Sequence, residues 1–202
     1  MKNRKKPRKK SFDLIQEYKK SWEYVKESKK FIYLTMGIFL LFVLIGFFIP
    51  APKIIEDKIM SFLKEVLIQI KDMPVMEIIG FIISNNVKST FFSIFLGTVL
   101  SIFPIIGIIA NGYILGFVSL LTVNEGGILS LWRMLPHGIF EFPAMFLSLG
   151  LGLKLGTFIF QKKKLVSFKN YLINSGKVFL LIIVPLLIIA GIIEGILIAL
   201  AR

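Results

Sequence analysis

The chain has 202 residues, 55% of them hydrophobic, with 25 Lys and Arg against 12 Asp and Glu for a formal net charge of +13. Cysteine is absent, which excludes disulfides, a thiol nucleophile and Cys-based zinc or iron–sulfur sites. Several apolar runs are long enough to cross a hydrocarbon core of roughly 30 Å, which takes about 20 helical residues. The length leaves no room for a separate soluble domain. The expected fold class is therefore all-α: a polytopic helical membrane bundle of about five transmembrane helices, with interfacial amphipathic helices beside them.

Residues 1–30 hold twelve Lys and Arg against four acids. Because this basic stretch runs straight into an apolar span, a positive-inside flank touching anionic lipid is favoured, and no nucleic-acid partner is expected. Residues 1–10 are expected to be disordered. Ser11 is a candidate cap for an amphipathic helix over 12–30, in which Phe12, Ile15, Trp22 and Val25 alternate with lysines. A first span follows at 31–49, ended by Pro50 and Pro52. It is longer than the apolar core of a signal peptide and lacks a small-x-small cleavage site, so it reads as a retained anchor.

Residues 53–84 carry four lysines against five acids. Ile55, Ile59, Phe62, Leu63, Val66 and Ile70 recur at helical spacing, which predicts one or two amphipathic helices over 54–83 lying on the outer face. From Ser89 to Val123 no charge appears for 35 residues. Residues 162–177 then contain five lysines and no acid, so they belong on the same side as the N-terminus. An even number of crossings must precede them. Spans near 31–49 and 137–160 supply two, and the middle stretch supplies two more as a tight hairpin, near 87–104 and 107–123, turning around Pro104–Gly107. A re-entrant loop has the same parity and stays open as the alternative. A loop at 124–135 and a final span at 178–200 complete one transmembrane domain over 31–202. The protein is expected in the cell membrane, with its N-terminus cytoplasmic and its C-terminus extracytoplasmic.

Three GxxxG spacings, Gly112/Gly116, Gly152/Gly156 and Gly191/Gly195, mark faces where helices can approach closely. Packing within the chain is favoured over packing between copies, and a homo-oligomer stays open.

The polar residues are few. His137, the chain's only histidine, and Glu141 lie four apart on one helix face in Pro136-His137-Gly138-Ile139-Phe140-Glu141. In this topology they share an outer depth with Asn85, Asn86 and Glu194, while Asn111 lies towards the other leaflet beside the cytoplasmic turn. Ionisable groups within spans are costly, so this set is the candidate intramembrane polar site. Three readings compete: a hydrogen-bonded structural network, a small-molecule, lipid or ion site, and catalysis. There is no HExxH, no second histidine and no GxSxG. No catalytic residue, metal or cofactor is therefore assigned. Lys154 is expected to snorkel to the cytoplasmic interface without a role.

The run Leu135-Pro136-His137-Gly138-Ile139-Phe140-Glu141-Phe142-Pro143-Ala144 resembles the signature of the stage II sporulation protein M family. So do the paired Asn85-Asn86, Gly97, Asn111-Gly112 with Gly116, and the Gly-rich run Gly150-Leu-Gly152-Leu-Lys-Leu-Gly156. The resemblance covers roughly residues 31–200. It implies a polytopic membrane protein, and the sporulation member of the family is a membrane scaffold that recruits peptidoglycan-degrading partners. The expected function is thus a non-enzymatic membrane scaffold or assembly component, with membrane or extracytoplasmic protein partners meeting the outer amphipathic segment. The alternative is a transporter, channel or lipid-handling protein, which requires a hydrated cavity at the polar residues.

Overall fold

The computed structural model describes residues 13–99 and 101–200, without the side chains of residues 133–137. It is all-helical among these residues. The helices are α1 (Leu14–Glu27), α2 (Lys29–Phe48), α3 (Lys53–Ile70), α4 (Val75–Phe95), α5 (Ile102–Gly126), α6 (Leu135–Gly156), α7 (Lys164–Val178) and α8 (Val184–Leu200). Short 3₁₀ turns extend α4 to Thr98 and α6 to Phe160. Five helical stretches are long and apolar enough to cross a membrane: Lys29–Phe48, Val75–Thr98, Ile102–Gly126, Gly138–Phe160 and Lys164–Leu200. This is a multi-pass membrane bundle.

The helix bounds shift one reading of the sequence. α4 begins at Val75, directly after Pro74, and not near residue 87. Residues 76–83 therefore belong to the second span, and only 53–70 forms the separate amphipathic helix. The 3₁₀ extension of α4 ends at Thr98 and α5 begins at Ile102, so Pro104 sits in the first turn of α5, where its missing N–H costs nothing. Ser101 makes the turn in a left-handed conformation (φ 61°), and its hydroxyl donates to the Leu153 carbonyl at 3.1 Å. Each arm of this hairpin spans more than 20 residues, long enough for a full crossing.

α6 is the central helix. Within its apolar window 61% is buried, against 17–33% for the other four. Its Leu147, Leu151 and Leu155 pack with Ile94, Val178, Phe179, Ile183 and Leu187, while Leu149 and Leu153 pack with Phe39 and Ile108. Glycines set the helix separations. A Cβ on Gly46 or Gly116 would collide with the backbone of the facing helix in the α2–α5 pair, and one on Gly112 would lie 2.7 Å from the Phe39 carbonyl oxygen. Gly97 and Gly152 meet backbone to backbone between α4 and α6. Gly191 and Gly195 seat α8 on Ile83 and Ile79 of α4. All three GxxxG pairs are thus occupied by contacts within the chain.

α1 was expected to start at a Ser11 cap and lie on lipid. Ser11 and the basic stretch 1–10 lie outside the described residues. Asp13 caps the helix instead, accepting from the Ile15 and Gln16 amides. α1 packs on α7, where Lys177 donates to the Glu17 carboxylate. Lys177 and then Lys20 hold Glu17 at about 2, well below the usual carboxylate range. Lys154, far from being idle at the interface, is buried against α1. Its Nζ donates to Ser28 Oγ at 3.0 Å, lies 3.8 Å from the Tyr24 ring centroid and 3.9 Å from Glu27 Oε2. α1 and the lysine-rich α7 therefore sit together at one end of the bundle.

Candidate intramembrane polar site

On α4 the residues Asn85, Asn86, Ser89, Thr90 and Ser93 fall at i, i+1, i+4, i+5 and i+8, a single stripe along a helix. α6 presents Glu141, Met145, Ser148 and Leu149 at the same repeat. These two faces, with Asn111 of α5 and Leu187 of α8, enclose a cavity of about 200 Å³, large enough for several waters. Asn85 stands about 15 Å along α4 from Val75, and Asn111 about 14 Å along α5 from Ile102, at 1.5 Å per residue. Both lie near mid-span. Asn85 and Asn86 are therefore not at the mouth of a helix, and Asn111 is not beside the turn.

Local sequence explains why polar groups are tolerated here. Thr90 donates to the Asn86 carbonyl (2.7 Å), Ser93 to Ser89 (2.8 Å), Ser148 to Met145 (2.8 Å), and Asn111 Nδ2 to Gly107 (2.8 Å). Each satisfies its donor on its own helix. The cavity wall offers hydroxyl, amide and carboxyl oxygens alongside the amide N–H groups of Asn85 and Asn86. The site is rich in acceptors and suits a cation or a solute with many N–H or O–H donors. Two irregularities border it. Pro143 interrupts the hydrogen-bond ladder of α6 just beyond Glu141, leaving the Ile139 carbonyl without its helical donor. A π-turn at Phe179–Ile183 precedes Pro185 and leads to Leu187.

Of the residues expected at the site, Asn85, Asn86, Asn111 and Glu141 converge on this cavity. The His137 side chain lies outside the described residues. Glu194 does not line the cavity: it is half-buried on α8, about 10 Å (two turns) beyond Leu187. The hydroxyls of Ser89, Thr90, Ser93 and Ser148 were missed. Their signal was the fourfold spacing from Asn85, Asn86 and Glu141, which becomes visible once α4 is extended back to Val75. Among the described residues no group of three or more His, Cys, Asp or Glu could hold a metal ion.

No curated protein and no solved structure matches the chain. The model of the family described as stage II sporulation protein M matches residues 35–197, which include every cavity-lining residue and all five spans in whole or large part. The chain belongs to the stage II sporulation protein M family.

Proposed function

We propose that this protein is a non-enzymatic membrane protein that holds a small cation or donor-rich polar solute in the cavity between α4, α5 and α6, as the binding step of solute handling across or within the membrane. The observation that carries the reading is a cavity of about 200 Å³ at mid-span, lined by hydroxyl, amide and carboxyl oxygens, with the Thr90, Ser93 and Ser148 hydroxyl donors spent on their own helices. Polar groups at this depth are costly unless they face one another or a ligand. Orientation follows the charge. α1 and α7 share one end of the bundle, both segments are lysine-rich, and the positive-inside bias puts that end in the cytoplasm, with the C-terminus outside.

The test is the thermal stability of purified protein titrated with lithium, sodium, potassium, ammonium and methylammonium chlorides at constant ionic strength. A ligand at 100 times its Kd stabilises by about 2.7 kcal/mol. Wild type is expected to gain stability with at least one of these cations, and Glu141→Gln and Asn111→Leu to lose that gain while remaining folded. Equal behaviour of wild type and both variants with all five would refute the reading.

A second reading, the scaffold, is favoured by α3. Its Ile54, Phe62, Leu67 and Ile68 are all more than half exposed, and its seat on α4 is an open apolar cleft that includes Phe81. In this reading α3 and its lipid-facing apolar residues form the surface where membrane or extracytoplasmic proteins assemble.

A further inference from the structure

Lys88 lies about 20 Å along the second span from Val75 and about 15 Å from its end at Thr98. That places a lysine close to the middle of the hydrocarbon core. It is exposed, and it has no ion pair or hydrogen bond with any described residue. It sits on the outward face of α4, with the large apolar side chains of Phe91 and Phe92 also exposed beside it. An ammonium group this deep needs a partner away from lipid.

The same surface offers one. Lys88 is about 60° around the helix from Asn85, at 100° per residue, so it stands on the lip of the polar cavity without lining it. Asn85, Ser89 and Asn111 are themselves exposed at that mouth. One face of the monomer thus carries, at one depth, an unpartnered cation and an acceptor-rich opening. A two-fold axis along the membrane normal keeps every residue at its depth and brings each of these features against the other.

We propose that two copies of the chain pair through the exposed face of α4, and that Lys88 of each copy completes the polar cavity of the other. The Lys88 ammonium, on a flexible four-carbon stem, reaches the oxygens of Asn85, Ser89 and Asn111 across the pair, and the exposed phenylalanines pack around it. This rests on the acceptor-rich character assigned to the cavity, and not on a diffusible solute binding there.

The absence of native cysteine makes the test direct. Phe92→Cys is introduced as a reporter beside Lys88, and oxidative crosslinking of differently tagged full-length copies is followed in proteoliposomes. The parent is expected to form a disulfide-linked dimer. Lys88→Gln and Asn85→Leu should each lower its yield about tenfold, and Lys88→Arg should retain it. An equal mixture of Lys88→Gln and Asn85→Leu copies has one intact lysine facing one intact cavity, so it should crosslink better than either variant alone. A pair held by apolar contact alone has no reason to show that rescue. No crosslink in the parent, no effect of Lys88→Gln, or a mixture no better than its components would each overturn the proposal. A parent that never crosslinks yet is stabilised by methylammonium sinks the pairing alone. A parent that pairs as described but gains no stability from any cation sinks the solute site alone.

Discussion

Alanine at each helical glycine should divide the glycines by what they face. At Gly152 a Cβ would lie 2.8 Å from Pro104 Cγ and closer still to the Ser93 carbonyl oxygen. Ordinary contacts begin near 3.4 Å, so α5 would have to give way by about 0.6 Å and α4 by more. A gap of 0.5–1 Å forfeits about a quarter to a half of the dispersion energy of the atoms along it, and overpacking of this kind costs about 1–3 kcal/mol. Gly46, Gly97, Gly112 and Gly116 also face backbone, which cannot rotate away. Gly37, Gly80 and Gly176 face open space, and alanine there removes only the entropic penalty of glycine, a gain of about 0.5–1 kcal/mol. The two classes should differ by roughly 2–4 kcal/mol, on the order of 10 °C in melting temperature for a chain this size. Gly191 and Gly195 meet isoleucine side chains that have rotameric freedom, and should fall between. The assay is thermal unfolding of the purified variants in one detergent. Gly152→Ala and Gly37→Ala melting together would refute the close backbone approach between α4 and α6.

Ser28→Ala should cost about 1.5–3 kcal/mol in the same assay, because it strips a hydrogen-bond acceptor from the buried Lys154 ammonium. Lys154→Met should stay within about 1 kcal/mol of wild type, since it removes the buried charge along with its partner's task, and adding it to Ser28→Ala should restore stability. For Glu17 the folded value is about 2 against an ordinary 4.5. Its contribution to α1 docking is therefore present above pH 4.5 and lost as pH falls towards 2. Protease sensitivity of α1 should rise across that window in wild type, not in Glu17→Gln, and salt should weaken the pair. Ser101→Ala keeps the left-handed turn and loses the bond to Leu153, and should destabilise by about 1–2 kcal/mol. In Ser101→Gly the relieved strain offsets the lost bond to within about 0.5 kcal/mol.

Much of the fold was legible in the sequence because lipid imposes strong rules. Run length marked five spans, and the parity of charged loops required a double crossing between α2 and α6. The start of α4 was not legible for a specific reason. Asn85, Asn86 and Lys88 look like the edge of a membrane when polarity is read one residue at a time, so the span seemed to begin after them. They are inside it because two asparagines face a cavity and the lysine faces outward. Lys154 was misjudged in the opposite sense. A lysine near a span end usually snorkels, and only the tertiary position of α1, with Ser28 and Tyr24 over it, turns this one into a buried anchor. Glu141 was legible as a cavity residue, whereas the depth of Glu194 matched the site without its side chain reaching it.

The placement of the tight contacts bears on whether the polar cavity is a packing defect or a built feature. Towards the α3 end, Gly191 and Gly195 pin α8 to Ile83 and Ile79 of α4. Towards the α1 end, Gly97 and Gly152 lock α4 to α6, and Ser101 ties the following turn to Leu153. The cavity residues 85–93 lie between these two levels. Fully buried Ile78 and Ile94 anchor α4 on either side of them. A loosely packed bundle would lose contact progressively along a helix. Here close contacts lie at both ends of the polar stripe, at Ile79 and Ile83 and again at Ser93 and Gly97, while Val87 stays packed against the core between them. α5 is held mainly by α2, through Gly46, Gly112 and Gly116, and both also pack on α6 through Phe39, Ile108, Leu149 and Leu153, so that α5 presents Asn111 to a wall made by α4, α6 and α8. The cavity is therefore framed on all sides by helices whose separations close glycine contacts fix, which is the mark of a built feature and not of a packing defect.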